Sequence, residues 1–366
     1  MWASGERGLT PDQNEQARDD AFHGGASCID FGGPSLIIEW MSTVSVQRWS
    51  NPRPDHRNRA TVLALPAIVL ERDVRSLFLR AYPAVAASCK AIDEPGVAVI
   101  AVDEATGVPC GIALVRARIG RHVAIVVGRH DRCDLFLDSN DSLALRHLAL
   151  VLDPVRSFER GATVRYRVLD LRTTHGFADE RGRPLRGLSA DGPTIVRCAG
   201  HVLFILPLGD PTDWPAAGPD AWAMLPERVY VTAELPAMQH RSMHRMSLIL
   251  QIPGPRDTSM NLAEHGVAGI LEIDGRARIP VGAEALRDGL LLGRYSRCDA
   301  ASWIDDELLS RVHLLLLDAD GTLLAIDTAS MHGVRVGDQL PQRIVALPER
   351  AELALGARTR IVFRRG

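Results

Sequence analysis

Lysine is almost absent from this chain of 366 residues: Lys90 is the only one, and arginine carries the rest of the basic charge. That skew fits a GC-rich, bacterial coding sequence. No charge excess of either sign is present, the net charge being −3. A near-neutral chain has no global field to draw nucleic acid or anionic lipid, so neither is an expected partner. CxxC pairs are missing too, and the six cysteines (Cys28, Cys89, Cys110, Cys133, Cys198 and Cys298) match no zinc-ligand spacing. No apolar stretch approaches the roughly 18–20 residues of a spanning helix. The opening MWASGERGLTPDQNEQARDD has no apolar core of a secretion signal. Together these absences lead to the expectation of a cytoplasmic protein with reduced thiols.

Catalytic signatures are lacking as well: there is no P-loop, dinucleotide fingerprint, kinase signature or GxSxG elbow. His240 and His244 have the i, i+4 spacing of metal ligands but no neighbouring glutamate and no evident third ligand. Asp138, Asn140 and Asp141 loosely suggest a calcium loop, without its glycine or terminal glutamate. No metal or cofactor is therefore expected.

What is present is an ordinary globular composition, 46% apolar and 24% charged, long enough for two or three domains. Residues 1–60 are polar, glycine-rich and broken by proline, which predicts a disordered or loosely held segment. Residues 61–95 are apolar with intermittent arginine; a helix is expected near Glu71–Tyr82, ended or kinked by Pro83, packing on the next domain. From Gly96 the texture becomes short apolar runs separated by Gly, Asp and Pro turns, as in an all-β sandwich. One such series fills 96–208, a Pro/Gly-rich linker is expected over 209–244, and a second series fills 245–366.

The two series are copies of each other. Gly128-Arg129-x-x-Arg132-Cys133-Asp134 recurs as Gly293-Arg294-x-x-Arg297-Cys298-Asp299 at a constant offset of 165. His147 answers to His313, each entering an apolar run, and Asp170-x-x-Thr173-x-His175-Gly176 answers to Asp327-x-x-Ser330-x-His332-Gly333. Gly200 before HVLFIL answers to Gly356 before RTRIVF. Chance similarity does not persist through four ordered landmarks, so this is a duplicated β domain.

In the second copy, Gly293 lets the chain leave a strand sharply with Arg294 at the exit. Ser310-Arg311 lies in the next loop, and Ser330-Met331-His332-Gly333 forms a third. Three loops at one end of a sandwich would gather two guanidinium groups, a hydroxyl and an imidazole. Such donors suit a dianionic phosphate. No carboxylate-plus-nucleophile pair accompanies them, so the set reads as binding and not catalysis. Each residue also has a plainer reading: an ion pair of Arg294 with Asp305 or Asp306, a turn cap at Ser310, a satisfied core histidine at His313. Cys133 and Cys298, at equivalent positions, read as a repeated packing site.

The ordered set resembles the forkhead-associated (FHA) domain, a β-sandwich that recognises phosphothreonine in partner proteins, whose signature is Gly-Arg, then Ser-x-x-His, then Ser/Thr-x-Asn-Gly. The resemblance covers about 120 residues in each copy. It implies that Arg294 and Ser310 contact phosphate, that Arg311 supports phosphate or peptide backbone, and that His313 holds the serine loop from inside. Gly293, Ser330 and Gly333 would be supporting residues. His332 stands where the family has the asparagine that grips the ligand backbone, and Met331 where a phosphate-contacting hydroxyl often sits. The first copy keeps Gly128-Arg129 and His147, and Thr174 supplies the hydroxyl, but Ala144 and Leu145 replace the serine and the following arginine. Arg129, Thr174 and His175 therefore form a weaker site.

The expectation is a tandem of FHA-like sandwiches that docks a Thr-phosphorylated protein, a bacterial Ser/Thr kinase or its substrate, mainly through the C-terminal copy. The alternative is a phosphate-independent scaffold or homo-oligomer assembled through sandwich surfaces. An enzyme housed in the first 95 residues is disfavoured, because no catalytic constellation occurs there.

Overall fold

A strand covered on both faces needs apolar side chains at both parities, whereas a strand with one wet face alternates. Both textures occur here. VAIVVG (Val123–Gly128), LALVL (Leu148–Leu152) and LLL (Leu290–Leu292) are buried at every position. Ala277–Val281 and Arg350–Leu355 instead alternate between buried and exposed. The computed structural model describes residues 43–48, 73–138, 142–159, 162–232, 246–255, 262–337, 339–356 and 358–366, and shows why. Each copy is a two-sheet sandwich, and one sheet of the first packs face to face on one sheet of the second.

In the first copy, a seven-stranded sheet runs in the order Val44–Arg48, Pro109–Arg116, Gly96–Asp103, His201–Leu208, Thr194–Cys198, Phe177–Asp179 and Pro184–Leu185. The facing sheet runs Glu227–Thr232, Met246–Ile252, Gly187–Ala190, Tyr166–Asp170, Leu148–Leu152, Val123–Gly128 and Leu135–Phe136. Val99, Ile125, Leu150, Tyr166 and Leu203 lie in the core between them. The second copy pairs a five-stranded sheet (Ala277–Val281, Gly269–Ile273, Thr359–Arg365, Arg350–Leu355, Val334–Val336) with a four-stranded one (Leu290–Leu292, Leu314–Ala319, Thr322–Asp327, Ile344–Ala346). The all-β class expected from the sequence is the one observed.

Several boundaries differ from the sequence expectation. The helix runs Val74–Lys90 with Pro83 inside it. Pro83 faces solvent, while Val74, Leu77, Phe78, Ala81, Tyr82, Val85 and Cys89 form one buried stripe, so packing carries the helix past the missing N–H. That stripe covers the outer face of the first seven-stranded sheet, against Ile100, Ile112, Phe204 and Leu206. Within the segment expected to be loosely held, Val44–Arg48 forms an edge strand antiparallel to Pro109–Arg116; its short Val-Ser-Val alternation is too brief to stand out. Residues 1–42 and 49–60 and the pair His240/His244 lie outside the described residues, as do Asn140 and Asp141.

The expected linker over 209–244 carries a helix, Gly218–Met224, and a strand, Glu227–Thr232, and it buries Trp214 against the first copy. Met246–Ile252, assigned by sequence to the second domain, pairs antiparallel with Gly187–Ala190 of the first and parallel with Glu227–Thr232. The alternation of MSLILQI specifies a half-buried strand but not which sheet receives it.

Between the copies, Ala124, Val126, Ala149, Val151, Leu169 and Leu171 meet Leu291, Val312, Leu315, Leu317, Leu324 and Ile326 in a single apolar layer. Cys133 and Cys298 both lie in it, and burial pushes each thiol up to about 12. Both are therefore packing groups. The contact is isologous in kind, since equivalent segments of each copy face one another.

Candidate functional site

The second copy assembles its site through backbone bonds between loops. Gly293 ends the strand Leu290–Leu292 against the next loop, and a Cβ there would lie 2.2 Å from the Arg311 carbonyl oxygen. Only glycine allows that approach. The Arg294 amide donates to the Ser310 carbonyl (3.3 Å) and the Tyr295 amide to the Arg311 carbonyl (3.0 Å). Arg294 Nε donates to the Leu309 carbonyl at 2.8 Å, so its guanidinium lies along the serine loop. Asp306 shapes that loop, accepting from the Leu308 amide and from Thr359 Oγ1.

The third loop joins the other two at the serine hydroxyl. Ser310 Oγ accepts from the Met331 amide at 3.0 Å. Ser330, buried, donates its amide to Asp327 and accepts from the Gly333 amide at 2.9 Å; Gly333 takes φ 72°, a left-handed turn that favours glycine. Gly293, Arg294, Ser310, Arg311, Ser330 and Gly333 are thus brought together, with Met331 and His332 exposed at the rim.

His313 is fully buried beneath them. Its amide donates to Leu292 and its Nε2 donates to the Gly333 carbonyl (3.0 Å), tying the strand exit to the third loop. The first copy repeats this plan. Arg129 Nε donates to the Leu143 carbonyl, and His147 Nε2 donates to the Gly176 carbonyl at 2.7 Å. His147 Nδ1 accepts from the Ala144 amide at 3.1 Å, which fixes the neutral tautomer. Ala144 leaves that site without the serine hydroxyl, while Thr174 and His175 are exposed beside it.

Burial pushes both imidazoles below the ordinary histidine value. A depressed base binds fewer protons folded than unfolded, so stability falls as pH drops below the unfolded value of about 6.5. Urea titrations between pH 7.5 and 5 should show a falling midpoint. Substituting His147 and His313 by glutamine should flatten that dependence, and an unchanged slope would contradict the assignment.

Sequence reasoning missed the residues that link the copies. Arg132 Nη1 donates to the Met331 carbonyl (2.6 Å) and the Ser330 carbonyl (3.4 Å), and Arg146 clamps the Ala329 carbonyl with Nε and Nη2. Reciprocally, Arg297 Nη1 donates to the Arg172 carbonyl and to Thr174 Oγ1, both at 3.3 Å. Asp134 and Asp299 accept from the Val126 and Leu291 amides, each at 2.8 Å. Burial raises both carboxyls, and the facing guanidiniums, Arg343 and Arg172, pull them back. The signal was available: the repeated Gly-Arg-x-x-Arg-Cys-Asp carries an Arg and an Asp that a phosphate clip alone does not need.

Among the described residues no group of three or more His, Cys, Asp or Glu could hold a metal ion, and no helix is long and apolar enough to cross a membrane. No protein-family model and no curated protein matches the chain. Solved structures of FHA domains do match parts of it. EmbR of Mycobacterium tuberculosis, in complex with a low-affinity phosphopeptide, is 19% identical over 28% of this chain and 25% of its own, with a TM-score of 0.24. The Mycobacterium tuberculosis Rv1747 FHA-1 structure is 23% identical over 27% of this chain and 98% of its own (TM-score 0.22). The FHA1 domain of yeast Rad53 is 15% identical over 28% and 79% (TM-score 0.23). Paired sheets, a glycine-arginine strand exit and a buried histidine tied to the third loop are the features of the part of this chain that is similar to those FHA domains.

Proposed function

We propose that this protein is a non-enzymatic adaptor that binds a phosphothreonine segment of a partner protein, mainly through the second copy. The observation that carries this is the convergence on Ser310: its carbonyl holds the Arg294 amide and its hydroxyl holds the Met331 amide. A phosphate placed there meets the Arg294 guanidinium and the Ser310 hydroxyl, and phosphorylation supplies negative charge and acceptor oxygens that suit both. The partner is a Thr-phosphorylated protein, with a bacterial Ser/Thr kinase or its substrate as the class in view. The first copy, with Ala144 and Leu145 in place of hydroxyl and guanidinium, suits a phosphate-independent contact instead, the role of a scaffold.

The test uses the full chain, because Met246–Ile252 is paired into the first copy. A labelled phosphothreonine peptide library and its unphosphorylated counterpart are titrated by fluorescence anisotropy. Binding should require phosphate, and Arg294→Ala should weaken it about 10- to 100-fold, the worth of hydrogen bonds to a charged group. Equal affinity for both libraries would replace this reading with the scaffold.

A further inference from the structure

The inter-copy contacts put an arginine of each copy on the other copy's third loop, at the residue where a phosphate-facing hydroxyl is expected. In the first copy that residue is Thr174, and Arg297 of the second copy reaches its hydroxyl. In the second copy the residue is Met331, which has no hydroxyl, and Arg132 of the first copy lies on its carbonyl. Arg132 donates to the main chain at Ser330 and Met331, is itself exposed, and among the described residues forms no ion pair with a carboxylate. Nη1 anchors it at both carbonyls, and Nε and Nη2 are the other donors of the guanidinium.

We propose that Arg132 is a phosphate-binding residue of the second copy's site, supplied by the first copy in place of the hydroxyl that Met331 lacks. The site is then composite. Arg294 and Ser310 come from one sandwich and Arg132 from the other. Arg146 positions the same loop by holding the Ala329 carbonyl, where the backbone takes φ 62°, a left-handed conformation uncommon for alanine. This gives the first copy a role although Ala144 and Leu145 have removed its own clip: it keeps Gly-Arg-x-x-Arg because the second arginine works on its neighbour. The ligand is the same dianionic phosphate, so the inference rests on the phosphothreonine reading above.

The probe is the same labelled phosphothreonine library, with full-length protein at several salt concentrations. Arg132→Ala should weaken binding at least about tenfold and make affinity less dependent on salt, while Arg132→Lys, which keeps the charge, should retain an intermediate affinity. Arg132→Ala/Met331→Thr should recover much of the loss, because a hydroxyl then returns to the loop. A purely structural role for Arg132 would give no such recovery, and absence of recovery overturns the proposal. So does wild-type affinity for Arg132→Ala when Arg294→Ala has lost binding, a result that leaves the phosphothreonine reading intact. If the unsubstituted chain ignores phosphate, that reading fails first and the composite site falls with it. Should Arg132→Ala not fold, the Arg132→Lys protein carries the test: its affinity must fall below wild type and rise again with Met331→Thr.

Discussion

Asp299→Ala should destabilise the described fold by about 3–5 kcal/mol, the usual consequence of stranding one partner of a buried ion pair. The side chains of Arg172 and Asp299 are only 2% and 1% exposed, with Nη2 and Oδ2 2.5 Å apart. Arg172 Nη1 also donates to the Arg297 carbonyl, and Asp299 Oδ2 accepts the Leu291 amide, so the pair joins both copies to one point. Removing the carboxylate leaves a guanidinium in the apolar layer and an amide without its acceptor. A loss of that size is a large part of the 5–15 kcal/mol that holds a typical domain together. Replacing both residues, Arg172→Met with Asp299→Leu, should cost less than Asp299→Ala alone, since no charge is then stranded. Chemical denaturation of the three proteins checks this. A double variant less stable than Asp299→Ala would place the effect elsewhere.

The second copy expressed alone, as residues 245–366, should not form a stable soluble monomer. In the full chain the first copy covers Leu291, Leu315, Leu317, Leu324 and Ile326. Each such side chain is worth about 1.5–3 kcal/mol when fully buried, so uncovering the set forfeits an amount comparable to a whole domain's stability. The fragment also carries Met246–Ile252, whose antiparallel neighbour Gly187–Ala190 has been removed. Size-exclusion chromatography with light scattering should report aggregation or self-association through the bared sheet, and the full chain should show neither by that route. A fragment that is monomeric, cooperative in unfolding and phosphate-binding would show that the copies are independent.

These expectations bear on how much the sequence disclosed. The duplication, the sandwich class and the convergence of Gly293-Arg294, Ser310 and the 330–333 loop were legible, because each depends on local landmarks whose order a β-sandwich preserves. The partnership of the copies was written in two signals that pattern alone does not separate. Unbroken apolar runs such as LLLL at 314–317 and LALVL at 148–152 mark strands covered on both faces, yet periodicity does not say what covers them. The repeated Arg132/Arg297 and Asp134/Asp299 were visible as a pattern, but their partners lie 123 to 211 residues away, beyond any local rule. Met246–Ile252 went to the wrong domain for the same reason. A strand's edge affinity is a tertiary property, and Pro83 inside Val74–Lys90 likewise shows packing overriding a local preference.

Ser310 is where the loops meet, and hydrogen exchange on the full chain, read with and without a phosphothreonine peptide, addresses it most directly. The account predicts that the phosphorylated peptide slows exchange at the Arg294, Tyr295, Met331 and Gly333 amides and at the 130–134 segment of the first copy, and that the unphosphorylated peptide leaves all of them unchanged. Protection that appears equally with both peptides, or that avoids these loops, would contradict it.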